Sequence, residues 1–410
     1  MRLRYLLASA SCGLLIASPA QFAFAQEIGS TAPSVRGDDP EYEARNAEFG
    51  GLRLAAGGEA RIEYDDNVFA QPDSTTSDAI LRFNPYVELS RSGGRLSARL
   101  RGALDVRRYL DETSEDAEAG ILSLEPTLAL GQGGTLSGIA SWERSVENRG
   151  DPEARSLLGI GPRRYDVFTG GVRYNRQGAR IMLNAEMNAQ KIDALSALDA
   201  DRDYSTWFGQ AGVGFRPGGA FYLTATAFGN HRDFRLDDIL TGASRDSSTY
   251  GGRLGVQFTD GGLFEGRLGA GVFQLDFDDP LAPSRTGFSL DGYVTYRPTR
   301  RSALSVNLFN GDVASFRSGA TARTDTRIGV RYEQEIRHNV LGHLTAGFQK
   351  SDYFGSGTTE ETWRLGAAVE YIVSRNISLV ANVRYGDRAS DLAFENFERF
   401  GAGLGVRVRF

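Results

Sequence analysis

The chain has 410 residues, of which 52 are acidic and 46 basic, and it contains one cysteine. The acidic balance disfavours nucleic-acid binding, and a single cysteine allows neither a disulfide framework nor a thiolate metal site. The mean hydropathy of −0.32 resembles that of a soluble protein, but a membrane β-barrel has similar values because only every second strand residue faces lipid.

Residues 1–25 have the form of a secretory signal peptide. A start with two arginines is followed by an apolar stretch and by the small-x-small sequence Ala-Phe-Ala at 23–25, which is typical of a cleavage site. We expect cleavage near Ala25, which also removes the only cysteine, Cys12. The exported chain then begins with a periplasmic linker at 26–55, which shows no clear periodicity.

From residue 56 to residue 410 the chain is organised as a series of hairpins. Eight short turns recur about 40 residues apart, a period that indicates a repeated supersecondary unit. The turns are centred near Gly93-Gly94, Gly133-Gly134, Gln177-Gly178, Pro217-Gly218-Gly219, Asp260-Gly261-Gly262, Thr299-Arg300, His338-Asn339 and Arg375-Asn376. Each turn lies between long stretches of alternating apolar and polar residues, as expected for strands that face two environments.

The stretch 95–109 shows the alternation most clearly. Its even-numbered residues from Leu96 to Val106 are apolar or glycine, whereas most odd-numbered residues are charged. A shift of one residue would move its arginines into hydrocarbon, at about 2–4 kcal/mol each near the bilayer midplane. The register of such a strand is therefore well specified.

Counting these stretches predicts an all-β, transmembrane, antiparallel up-and-down β-barrel of about 18 strands. The first strand is expected at 57–69 and the last at 395–410. Short turns alternate with longer connections, so an even strand number places both chain ends on the short-turn, periplasmic side. The longer connections then face the cell exterior.

Aromatic residues recur at two heights on the apolar register, as in the belts at membrane–water interfaces. These predicted lipid-interface aromatics are Trp142, Trp207 and Trp363 near the long loops, and Phe215, Phe221, Phe258, Phe264, Tyr296 and Phe410 near the short turns. A soluble β-propeller has a similar period. However, each unit here holds two long strands rather than four short ones, and no Gly-His…Trp-Asp signature is present.

The polar register predicts a charged lumen, because barrels of this size enclose water. The predicted pore-lining residues are Arg99, Arg101, Asp105, Arg107, Glu186, Arg253, Glu265, Arg327, Arg331, Arg364, Glu370 and Arg384. One interpretation is an electrostatic pathway for anions. The other is that arginines and carboxylates pair across strands and only hold the wall together.

Neither catalysis nor cofactor binding is predicted. The three histidines, His231, His338 and His343, do not share a height with a serine and an aspartate in a triad. The acidic loop at 276–279 lacks the spacing of a calcium loop, so no metal is expected either.

The start of the barrel region resembles the β-barrel porin (type 2) family of proteobacterial outer membranes. The residues that carry this resemblance are Glu41-Tyr42, Gly51-Leu52-Arg53-Leu54, Tyr64-Asp65-Asp66-Asn67-Val68-Phe69, Asp78 and Pro85. Residues 55–58 lack the aromatic–proline pattern common in the family, which leaves the start of the first strand least well specified. The resemblance implies a Gram-negative outer-membrane location and a link to surface-polysaccharide export.

The combined hypothesis is a porin-type channel that passes polar, anionic solutes, with polysaccharide export as its specific form. The alternative is a non-conducting structural or adhesion barrel whose extracellular loops bind partners. Expected partners are outer-membrane lipids and lipopolysaccharide, the barrel-assembly machinery through the C-terminal strand, and polysaccharide-export components. Nucleic acid is not expected as a partner.

Overall fold

The structure is a computed structural model that describes residues 46–154, 160–237, 242–259, 262–317 and 319–410. The predicted signal peptide and residues 26–45 of the linker lie outside these ranges. Within them the strands are β1 Ala47–Phe49, β2 Leu52–Asp65, β3 Asp78–Arg91, β4 Leu96–Tyr109, β5 Ala117–Gly131, β6 Gly134–Val146, β7 Arg164–Gln177, β8 Ile181–Ala194, β9 Tyr204–Phe215, β10 Phe221–Phe234, β11 Ser247–Phe258, β12 Phe264–Phe277, β13 Arg285–Thr299, β14 Ser302–Val313, β15 Ala322–Arg337, β16 Val340–Phe354, β17 Thr359–Ile372, β18 Ile377–Ser390 and β19 Phe397–Arg409.

Strands β2 to β19 form a closed antiparallel barrel. Each strand pairs with the next in sequence, and the last strand returns to the first, with Gly401 opposite Asp65 and Arg409 opposite Gly57. The short β1 pairs only with the beginning of β2. Eighteen strands in one closed sheet confirm the predicted fold class and exclude the propeller, whose blades are separate sheets.

The apolar residues lie on the outside of the barrel and the charged residues on the inside. On β4, Leu104 is 52% exposed whereas the next residue, Asp105, is 0% exposed. This inversion of a soluble protein's arrangement is expected when the outer face contacts lipid and the inner face contacts water.

The alternation of short turns and long loops agrees with the sequence prediction. The short turns join β3 to β4 and every second pair after it, and residues such as Gly94 and Gly133 adopt φ values of +67° and +75° there. Glycine accepts these left-handed conformations without the steric cost of a Cβ. Asp260 and Gly261 of the fifth turn lie outside the described residues.

The first barrel strand differs from the expectation of 57–69. It begins at Leu52, which pairs with Arg91, and it ends at Asp65. The strand ends there because Asn67 closes a turn, donating from its side-chain amide to the carbonyl of Gln71 (2.8 Å) and accepting from the Gln71 amide (3.0 Å). The small residues at 55–58 continue the strand.

The described parts of the long loops contain three short 3₁₀ helices: Thr113–Glu115, Ala197–Arg202 and Ala393–Glu395. Within the described ranges, no helix is both long and apolar enough to cross a membrane.

Candidate functional site: the constricted lumen

The predicted pore-lining residues lie on the inner register of their strands, and all but one make an ion pair with another charged side chain. The pairs formed by these residues are Arg99 with Glu88 and Glu125, Arg101 with Glu88, Asp105 with Arg82 and Arg107, Glu186 with Arg173, Glu265 with Arg297, Arg327 with Asp325, Arg331 with Glu333, Arg364 with Asp151, Glu370 with Arg407 and Arg409, and Arg384 with Glu63 and Asp65. Arg253 instead donates to the hydroxyl of Ser289 (2.7 Å). The wall is thus largely neutralised by pairs within a strand, across strands and with a loop.

Solvent reaches the charged wall unequally along the barrel. Near the short turns, the side chains of Arg99 and Glu125 are 38% and 35% exposed. Near the long loops, the side chains of Arg149 and Glu115 are each 3% exposed. The charged wall is therefore open to solvent at the short-turn ends of β4 and β5, whereas Glu335, Glu370 and Arg409 at the short-turn ends of other strands are buried. The long-loop end of the lumen is filled.

The filling comes first from the loop between β6 and β7. Its described residues 147–154 contact β15, β17 and β18, strands that lie six to nine positions away around a ring of eighteen. Such contacts are possible only across the lumen. We call residues 147–154 and 160–163 the crossing loop.

The middle of the crossing loop is held by two arginines of the opposite wall. The carbonyl oxygen of Gly150 accepts hydrogen bonds from Arg364 (3.0 Å) and from Arg388 (2.5 Å). The next carboxylate, Asp151, lies 3.5 Å from Arg364. A guanidinium has five N–H donors in one plane, so an arginine can bind a carbonyl and a carboxylate at the same time.

The far end of the crossing loop is anchored through Glu153. Its carboxylate accepts hydrogen bonds from the Ser315 hydroxyl (2.8 Å) and the Phe316 amide (3.0 Å), and it lies 3.5 Å from Arg323. The backbone at Glu153 has φ +60°, a strained region for a residue with a Cβ. Contacts from several elements maintain this conformation.

The near end of the loop is fixed by a buried ion pair. Arg149 donates to both carboxylate oxygens of Glu115 (3.0 and 2.5 Å) and to the carbonyl of Ile160 (2.6 Å). Its guanidinium also lies 5.7 Å from the ring of Phe69. Two further acids near the loop base, Glu147 and Asp199, hold Arg163 and raise its pKa above the usual value, against the opposing effect of burial.

A second loop, between β14 and β15, also enters the lumen. Its residues Ala314 and Phe316 pack against Tyr165, Ile192 and Tyr204 on the inner wall. The ring of Phe316 lies 5.9 Å from that of Tyr204. An apolar cluster therefore narrows the extracellular mouth beside the crossing loop.

The Tyr-Asp-Asp-Asn-Val-Phe sequence at 64–69 also has a structural role at this end of the barrel. Asp65 pairs with Arg384 and Arg399, and the Asp66 carboxylate accepts from the Phe400 amide (2.7 Å). Val68 and Phe69 are buried. The sequence joins β2 to β19 and supports the crossing loop, a role that its composition alone did not indicate.

The aromatic residues assigned to the lipid interface lie on the outer register. Trp142, Trp207, Trp363, Phe215, Phe264 and Phe410 are exposed, and Phe221, Phe258 and Tyr296 are half-buried. Near the short turns, the ring of Phe264 stacks between Phe258 (5.6 Å) and Tyr296 (4.9 Å).

The described ranges contain no group of three or more His, Cys, Asp or Glu residues that could hold a metal ion. His231 lies on the outer register, where it stacks on Trp207 at 5.8 Å and contacts the hydroxyl of Ser248.

A closed barrel with an apolar exterior, a charged interior and inward-folded loops is a porin-type outer-membrane β-barrel. The chain belongs to the family described as "Putative beta-barrel porin 2", whose model matches residues 39–410. This family membership indicates a channel rather than an enzyme and places the protein in the outer membrane. No curated protein matches the chain.

Several solved outer-membrane proteins are similar to the chain at low sequence identity. Pseudomonas aeruginosa OpdK, crystallised with vanillate, is 12% identical, with 87% of this chain and 99% of that chain covered and a TM-score of 0.44. OccK2 (OpdF) of the same organism is 11% identical, with 88% and 98% covered and a TM-score of 0.46. OmpT of Vibrio cholerae is 11% identical, with 89% and 100% covered and a TM-score of 0.40.

The docking of the crossing loop is expected to depend on pH through Asp151. Burial raises the pKa of its carboxyl, and Glu147 raises it further, against the opposing effect of Arg364 and Arg388. The docked state therefore disfavours the ionised carboxylate. Below the ordinary aspartate pKa of about 3.9 the carboxyl is neutral whether the loop is docked or released. As pH rises from there through the raised pKa, docking loses stability.

Hydrogen exchange of residues 147–154, corrected for intrinsic rates, should accordingly be slower at pH 4 than at pH 7. Asp151→Asn should reduce that difference. The exposed Asp193→Asn should preserve it. An unchanged pH dependence in Asp151→Asn would contradict the assignment.

Proposed function

We propose that the protein is a passive channel for polar solutes with a preference for anions. The observation that supports this proposal is the solvent-accessible, charge-lined part of the lumen at the short-turn ends of β4 and β5, where the side chains of Arg99 and Glu125 are 38% and 35% exposed. A wall that only stabilised the barrel would not need exposed charges. Charged rings in a pore of this kind set ion selectivity.

The anion preference rests on Arg253 of β11. Its guanidinium donates to the neutral Ser289 hydroxyl and lies 3.9 Å from the centre of the Phe228 ring. By contrast, Arg331 donates to the carboxylate of Glu333 (2.8 Å). Asp291 also interacts electrostatically with Arg253, but the Asp291 carboxylate pairs with Arg267 at 3.4 Å. The direct contacts of Arg253 are a hydroxyl and a ring, so its guanidinium keeps part of its positive field available to a passing anion.

Planar-bilayer recordings in a potassium chloride gradient test the proposal. We expect discrete conductance steps and a reversal potential on the anion side. Arg253→Glu should move the reversal potential toward cations, because it replaces a luminal positive charge by a negative one. Lys350→Glu, on the outer face of β16, should leave it unchanged. Equal reversal potentials for the wild type and Arg253→Glu would refute the anion preference.

The second candidate is a non-conducting scaffold whose loops bind partners. The crossing loop favours it, because contacts from Gly150 and Glu153 to the opposite wall fill the extracellular end. Wild-type protein that inserts into bilayers without conductance would support this candidate over the channel.

Export of a surface polysaccharide is the narrower form of the channel proposal, and family resemblance is its support. With the crossing loop docked, a polymer chain would meet Arg149 and the Phe316 cluster at the mouth. Polymer passage therefore requires that this loop leave the lumen. We propose that the export apparatus would supply the partner that displaces it.

A further inference from the structure

Positive charges are concentrated on one part of the barrel's outer rim. Arg108 of β4, Arg144 of β6, Arg164 of β7 and Lys191 of β8 all lie on the outer register near the long loops. Outward-facing charges at this level on β10 to β19 are mostly acidic, with Lys350 among them: Asp233, Asp276, Asp352, Glu361, Asp387 and Glu398. Three outward acids, Glu118, Asp166 and Asp193, lie among the four cations and pair with them. We call the four cations the basic rim.

The basic rim lies at the height of lipid headgroups. Arg144 is two residues beyond Trp142 on β6, about 7 Å along the strand, and its guanidinium lies 5.7 Å from the Trp142 ring. Tryptophans on the outer face mark the boundary of the hydrocarbon. The cations are therefore placed where the phosphates of an outer-leaflet lipid would be.

An apolar groove of about 690 Å³ lies directly below the basic rim. Its floor consists of the small residues Ala140, Gly170 and Ala189, which pair in one row across β6, β7 and β8. Its walls are formed by the large residues Leu122, Leu124, Trp142, Phe168 and Trp207. A Cβ added at Gly170 would meet no atom within 4 Å, so the space above the floor is open.

We propose that this face binds a phosphorylated glycolipid of the outer leaflet, with an acyl chain in the groove and phosphate on the basic rim. Lys191 is 61% exposed, and Arg144 and Arg164 are each 39% exposed, so these cations can reach a headgroup. Each is also near a carboxylate, such as Asp193 beside Lys191 (2.7 Å). These acids weaken attraction for a free phosphate, so the acyl chain must contribute to binding.

Binding of bisphosphorylated, hexa-acylated lipid A to the purified full-length protein in non-ionic detergent tests this proposal. Arg144→Gln combined with Lys191→Gln should raise the Kd about tenfold or more, because each basic side chain at an anionic lipid surface contributes severalfold. Gly170→Leu, which places a side chain in the open space of the groove, should also raise the Kd. Lys350→Gln is the matched control and should keep the wild-type Kd.

Dephosphorylated lipid A should bind wild-type protein as weakly as lipid A binds the double variant. Wild-type affinity in both the double variant and Gly170→Leu would overturn the proposal. An alternative occupant is a second copy of this chain. If Gly170→Leu instead converted an oligomer to monomer without changing lipid A binding, the groove would be a subunit interface and the proposal would again fail.

Discussion

Glu115→Ala combined with Glu153→Ala is expected to release the crossing loop and to raise the single-channel conductance by a factor of about two or more, because it removes the obstruction from a lumen of this width. Glu115 holds the near end of the loop through Arg149, and Glu153 holds the far end through Ser315 and the Phe316 amide. Breaking a buried ion pair by removing one partner costs about 3–5 kcal/mol. The stabilisation lost at the two ends of the loop should exceed the stabilisation that the remaining hydrogen bonds of the Gly150 carbonyl provide.

Bilayer recordings and limited proteolysis with trypsin should report the release independently. The released loop should expose Arg149 to cleavage, which buried Arg149 resists in the wild type. Glu118→Ala is a suitable control, because this carboxylate is 51% exposed on the outer face and pairs with Arg108. If the double variant kept the wild-type conductance and resisted trypsin at Arg149, other contacts would be shown to hold the loop.

The same experiment separates the two candidate functions. A silent wild type and a conducting double variant would identify the crossing loop as a plug. Conductance in both, larger in the variant, would identify it as a constriction of an open channel. Polysaccharide export requires a state in which the loop is displaced, and the double variant would mimic that state.

The barrel itself followed from local sequence patterns. Alternation at period two assigns each side chain to lipid or lumen, and that assignment needs no knowledge of neighbouring strands. Stretch 95–109 illustrates this, because the even-numbered residues from Leu96 onward are outside as expected and Asp105 is inside. The even count and the alternation of turn lengths then determine closure and the position of the ends.

The constriction did not follow from those patterns, because its contacts join distant parts of the chain. Residues 148–151 read as an ordinary polar loop, and only the closed ring places Gly150 beside Arg364 and Arg388. A useful signal was present in the aromatic residues of the long loops. Phe69 and Phe316 have no lipid to face there, so burial inside the mouth is the favourable alternative.

The charge pairing could likewise be predicted only in part from the sequence. The inner register predicts which residues face the lumen, but the partner of Arg384 depends on strand shear. The structure brings it to Glu63 and Asp65 of β2, across β19. The sequence could not distinguish a wall whose arginines select anions from a wall whose arginines pair with carboxylates, because both walls have the same composition.

The charge pairs of β2 are expected to stabilise barrel closure. The pairing of β19 with β2 covers residues 57–65, whereas that of β2 with β3 begins at Leu52. Across this shorter seam, Arg384 donates to Glu63 (2.6 Å) and Asp65 (2.9 Å). Arg399 also lies 2.7 Å from Asp65. The Asp65 carboxylate is therefore shared between two strands.

Glu63→Gln combined with Asp65→Asn should lower the free energy of unfolding by about 2–3 kcal/mol, because Arg384 and Arg399 would lose their hydrogen bonds to two buried carboxylates. Urea unfolding in lipid vesicles, followed by tryptophan fluorescence, measures the effect. Asp193→Asn disrupts an exposed pair with Lys191 and should cost no more than about 1 kcal/mol. If the double variant unfolded at the same urea concentration as Asp193→Asn, backbone hydrogen bonds alone would account for closure of the seam.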